Sequence, residues 1–157
     1  MRITVKNIVQ AIIDKVANCV PGAEHYKGRL EEGFSRPAFL YIPIFFRENK
    51  TNYFTSKKNL EIQIIYFGKL DGYGREDIDG RLDTESSLEG FLGQLHLQVG
   101  DRNLGFTYET KEVDEHLAIY LTFAFLDESV DQSYIEACEM EPAEIVEAEM
   151  KVKVKGE

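Results

Sequence analysis

Cysteine, histidine and positive charge are all scarce in this 157-residue chain, and each scarcity removes a class of function. The two cysteines, Cys19 and Cys138, are too few and too widely spaced for a disulfide framework or a zinc site. They read as buried or incidental thiols in a reducing compartment. The three histidines, His25, His96 and His116, lie far apart and belong to no HExxH pair, zinc spacing or nucleophile motif. Lysine and arginine number 18 against 28 acidic residues, a formal net charge of -10. That balance opposes general affinity for nucleic acid or an anionic membrane. No continuous apolar stretch follows Met1. The chain runs at once into an amphipathic segment bearing Lys6, Asp14 and Lys15, so the expectation is no signal peptide, no membrane span and a cytoplasmic protein.

Two further motifs dissolve on inspection. In "DGYGREDIDGRLD", Asp77, Asp79 and Gly80 fall at the third, fifth and sixth positions of a calcium loop. The first position is Arg75 and the twelfth is Ser86, so a cation stands where a ligand is needed and the bidentate glutamate is missing. Gly72 and Gly74 make a GxG with no third glycine and no strand-to-helix crossover to aim a helix at phosphate. No nucleophile, base and orienting group come together, so neither enzyme activity, a metal nor a cofactor is expected.

What the chain does contain is a core. Hydrophobic residues make up 43% and charged residues 29%, enough for one globular domain that buries about two-thirds of its unfolded surface. After Thr4, a residue suited to an N-cap, Val5, Ile8, Val9, Ile12, Ile13 and Val16 recur at helical spacing, and Pro21-Gly22 ends the helix. "EGFSRPAFLYIPIFF" reads as a strand whose Pro37 and Pro43 place it at an edge or a bulge. Arg47 to Asn59 is polar and basic and reads as a long solvated hairpin connection. "LEIQIIYF" resumes as a strand antiparallel to the first, with Leu60, Ile62, Ile64 and Tyr66 on one face. Ile78, Leu82, Leu88, Phe91, Leu92 and Leu95 support a second helix. "GFTYETKEV" and "HLAIYLTFAFL" form a last hairpin turning at Asp114-Glu115.

The expected architecture is α+β, a mostly antiparallel sheet with the N-terminal helix and a second helix on one face. The boundary falls near Val130: residues 1–130 form the domain, and residues 131–157 form an acidic linker ending in a strand, where Met150, Val152 and Val154 alternate with Lys151, Lys153 and Lys155.

"IVQAIIDKV", "EGFSRPAFLYI", "LEIQIIYFG" and "HLAIYLTFAFL" together resemble the phage tail terminator family, with Gly33, Phe34, Pro37 and Phe39 as the central match and Tyr66-Phe67 closing the next strand. The similarity covers roughly Lys6 to Leu126 and rests on packing motifs. It implies a structural protein, made in the host cytoplasm, that ends tail-tube growth as a ring, typically a hexamer, in the tail and neck of the particle. Its partners by that resemblance are further copies of itself, the tube protein, the sheath if the particle is contractile, and the head-tail connector. DNA passes through without specific binding. The alternative is a small regulatory or ligand-binding domain. Candidate interface residues are Arg47, Lys50, Lys57 and Lys58 in the basic connection, and Met150, Val152 and Val154 in the terminal strand.

Overall fold

Residues 2–129 are described in a computed structural model of the chain. The boundary near Val130 and the strand carrying Met150, Val152 and Val154 lie outside the described residues. Helix α1 spans Val5–Cys19 and β1 spans Glu24–Lys27; β2 is Ala38–Lys50, β3 Thr55–Phe67, α2 Ile78–Leu92, β4 His96–Val99, β5 Arg102–Val113 and β6 His116–Glu128. The six strands make one sheet in the order β1-β2-β3-β6-β5-β4. Among the described strands only β1 runs parallel to its neighbour, so the fold is α+β as expected.

Helix α1 begins where the side chain of Thr4 accepts the Asn7 N–H while the Asn7 side chain accepts the Thr4 N–H, a reciprocal cap that satisfies two otherwise orphaned donors. Its stripe of Ile8, Val9, Ile12, Ile13 and Val16 is buried. These side chains share one core with Phe39, Tyr41, Leu60, Ile62, Ile64, Tyr66, Leu117, Ile119, Leu121 and Phe123 from the sheet. The β3 register alternates as the sequence implies, because successive side chains of a strand point to opposite faces. Helix α2 departs from expectation. It is buried only from its middle onward, at Thr84, Leu88, Phe91 and Leu92, with the Phe91 ring centred 5.6 Å from that of Phe106 on β5. Ile78, Leu82 and Leu95 are about half exposed.

Pro37 and Pro43 sit where a missing N–H is tolerated. Pro37 immediately precedes β2, and Pro43 lies at a register shift between Pro43 and Phe45. That bulge also marks a change of surroundings. Ala38 to Tyr41 are flanked by β1 on one side and β3 on the other, whereas beyond the bulge β2 pairs with β3 alone among the described residues. The Phe34 of the central motif packs edge-on against Phe67 and Tyr26, with the Arg36 guanidinium 5.0 Å above it. Gly33 takes a φ of 74°, open to glycine at little cost. These motif residues hold the 28–37 connection onto the sheet.

Candidate assembly interface

The far end of the β2–β3 hairpin concentrates exposed apolar and basic side chains. The strands pair as far as Lys50 and Ser56, so the connection is only residues 51–54, and the polar stretch expected to loop into solvent is largely strand. Thr51 and Asn52 both donate to the Thr55 carbonyl, and the Asn52 side chain accepts the Phe54 N–H at 2.8 Å. This tight turn holds Tyr53 and Phe54 outward, 61% and 76% exposed, with their rings perpendicular. Ile44, Phe45 and Phe46 are also exposed along the strand. These exposed apolar side chains lie on both faces of the hairpin, Phe45 and Phe46 pointing to opposite sides of the sheet, with polar and basic residues between them.

Three of the four basic candidates belong to this surface. Arg47 stands 5.4 Å over the ring of Phe45, Lys50 stands 5.1 Å over that of Tyr53, and Lys57 is exposed across from Asn49. Lys58 does not join them. Its side chain is 2% exposed and faces the helix side of the sheet, because the β3 alternation that buries Leu60 and Ile62 continues back through Lys58 and Ser56. Its removal from the surface follows from strand periodicity alone.

Lys58 instead anchors the N-terminal segment. Its ammonium donates to Asp127 Oδ2 at 2.7 Å and to the Ile3 carbonyl at 2.6 Å, while Ile3 N–H donates to the same carboxylate at 2.7 Å. Arg102 holds the other carboxylate oxygen at 3.1 Å and donates to the Leu126 carbonyl. Arg2 reaches across to Glu48 and to the Glu128 carbonyl. Burial pushes the Asp127 carboxyl up, but the hydrogen bonds from Lys58, Ile3 and Glu128 outweigh it and hold the group below its ordinary value. Burial pushes the Glu48 carboxyl up as well, and hydrogen bonds from Arg2 and Ser56 outweigh it in the same way. The clamp ties residues 2 and 3 to the ends of β2, β3 and β6, directly behind the exposed hairpin.

Several other polar groups have local structural partners. His25 shares a 2.8 Å hydrogen bond with the Tyr41 hydroxyl and stacks on Phe39. His116 lies 3.1 Å from Glu76, whose carboxylate also accepts the Gly68 N–H. In the glycine-rich acidic stretch, Asp71 accepts from Tyr73 and Arg75, and Asp77 caps α2. Among the described residues no group of three metal-ligating side chains converges, and no helix is long and apolar enough to cross a membrane.

No curated protein matches the chain significantly. A family model described as "Phage tail terminator protein" matches residues 7–135. That span takes in α1 from its third residue on, the Gly33 to Phe39 motif, the exposed hairpin and the whole sheet. The chain therefore belongs to the phage tail terminator family, and its role is structural, in the tail of the virion.

Proposed function

We propose that this protein ends tail-tube polymerisation by closing into a ring, a hexamer, on the head-proximal end of the tube and then joins the tail to the head connector. The observation that carries the reading is the distal β2–β3 hairpin, an exposed array of Phe45, Phe46, Tyr53 and Phe54 edged by Arg47, Lys50 and Lys57 on a chain of net charge -10. Such a surface suits contact between protein subunits, where aromatic residues and arginine are enriched. It suits a small-molecule pocket poorly, since its aromatic side chains are exposed to solvent and not enclosed. The acidity elsewhere fits a channel that lets DNA through without holding it. Assembly in the host cytoplasm, contact with the tube protein and connector, and with a sheath in a contractile particle, are parts of the same reading.

The direct test is to add the purified protein to the tube protein of the same particle while it polymerises. Rings at one end of the tubes by electron microscopy, with elongation arrested, are the expected result. Tubes that lengthen unchecked with no ring at either end would overturn the reading.

A further inference from the structure

Among the described residues β2 is the edge strand for the stretch after its bulge. Among the described residues nothing pairs with its outer side from Ile44 to Lys50, and alternate residues of an antiparallel pair direct their N–H and C=O groups away from the partner strand. A long edge with exposed apolar side chains is a template for another strand. Residues 150–155 carry the alternation of such a strand, with Met150, Val152 and Val154 set against Lys151, Lys153 and Lys155. We propose that this segment of one subunit adds to the β2 edge of the neighbouring subunit, guided by the acidic stretch before it. The proposal rests on the ring reading and specifies how neighbouring subunits are joined.

Three observations select this occupant. The first is where the described chain ends: Ser129 N–H donates to the Phe54 carbonyl at 2.9 Å, which places Ser129 beside the exposed hairpin. The second is charge. Residues 131–149 contain seven acidic side chains and no lysine or arginine, and the hairpin beside Ser129 carries Arg47, Lys50 and Lys57, whereas its single acid, Glu48, is committed to Arg2. The third is reach. A subunit's own β2 edge lies two strand spacings from β6, about 10 Å. The 20 residues between Ser129 and Met150 span several times that distance at about 3.3 Å per residue. Like charges along a linker repel one another and extend it, which favours a neighbouring copy over a return to the same sheet.

The edge also selects a face. On β2, Phe45 and Arg47 point to the side away from the helices, and Phe46 and Glu48 to the helix side, as their pairing with Glu61, Asn59, Leu60 and Lys58 requires. Setting Met150, Val152 and Val154 of the added strand on the Phe45 side leaves its three lysines on the face that carries Phe46, Glu48 and Lys50.

The test uses full-length chains in a background where Cys19 and Cys138 are replaced by serine. One protein carries Phe45→Cys and another Val152→Cys; they are mixed, allowed to assemble and treated with a short bismaleimide. The expected result is a covalent dimer in the mixture that neither protein gives alone, reduced severalfold by Val154→Pro in the second chain, since proline removes a ladder donor, and by raised salt. A link that forms only within a doubly substituted single chain means that the strand returns to its own sheet, and overturns the proposal. Absence of any link also overturns it, leaving the edge to another protein of the particle. If rings still cap tubes in that case, strand exchange fails and the ring reading stands; if the unsubstituted protein forms no ring, the reading itself fails.

Discussion

Lys58 and Asp127 form an ion pair at 2.7 Å with side chains 2% and 0% exposed, while Lys57, one residue earlier, is in solvent. Adjacent lysines of a single strand thus have opposite fates. Removing one partner of a buried pair leaves an uncompensated charge and typically costs about 3–5 kcal/mol. Here Arg102 remains on the carboxylate, so Lys58→Met is expected to lower the unfolding free energy by about 3 kcal/mol. Lys57→Met should stay within about 0.5 kcal/mol of the parent. Urea denaturation of both variants checks the contrast.

The depressed carboxyls of Asp127 and Glu48 give the clamp a pH dependence. A carboxyl whose folded-state pKa lies below its unfolded value of about 4 stabilises the fold fully above that value. That stabilisation is lost as pH falls through the lower, folded value. The denaturation midpoint is therefore expected to hold level from about pH 7 to 5 and to fall below about pH 4. Asp127→Asn should start lower at neutral pH and fall less steeply. Equal slopes in the parent and the variant would remove Asp127 as a source of the acid sensitivity.

Ile12 of α1 is fully buried among β2, β3 and β6 core residues. Truncation to alanine removes three carbons and leaves a cavity, so Ile12→Ala is expected to destabilise the domain by about 2–4 kcal/mol in chemical denaturation.

At the β5–β6 turn, Asp114 and Glu115 both adopt positive φ, 52° and 69°. That is the geometry of a hairpin turn that favours an Asn-Gly pair. Combining Asp114→Asn with Glu115→Gly relieves the strain at both positions, and a gain of about 0.5–1 kcal/mol is expected in thermal or chemical melts. The Arg81 contact in this turn is to the Glu115 carbonyl, which glycine keeps.

Charge reversal at the hairpin separates assembly from folding. Lys50→Glu with Lys57→Glu is expected to leave the melting temperature of the isolated protein within a few degrees, because both side chains are exposed. Sedimentation should report weakened association of the subunits. Unchanged association would take the basic rim out of the interface.

The parts of the fold legible in the sequence are those where one period runs uninterrupted. The α1 stripe, the alternation from Leu60 to Tyr66 and the Leu117 to Phe123 face all lie where strict spacing puts them. The short strands are not legible in this way. β1 has four residues and is held by a parallel neighbour that local sequence cannot announce, and β4 is defined by pairing with the start of β5. Lys58 departs from the solvated position its charge suggests because the period of its strand prevails. It lies two steps before Leu60 on the same face and has its counterpart in Asp127, two steps beyond Phe125; the paired overrun of two apolar series is the signal for it in the sequence. The exposed aromatics on β2 are visible as residues but not as surface, since burial there depends on β1 ending at Lys27.

One consequence of the strand order is mechanical. The last of the described strands, β6, lies inside the sheet between β3 and β5 rather than at its margin. A tether pulled along the axis of β6 from its end at Glu128 loads the ladders on both sides in shear, so that many hydrogen bonds resist together instead of peeling away one after another. A joint built this way keeps hold of its tether under tension, and its rupture force is set by the interior of the domain.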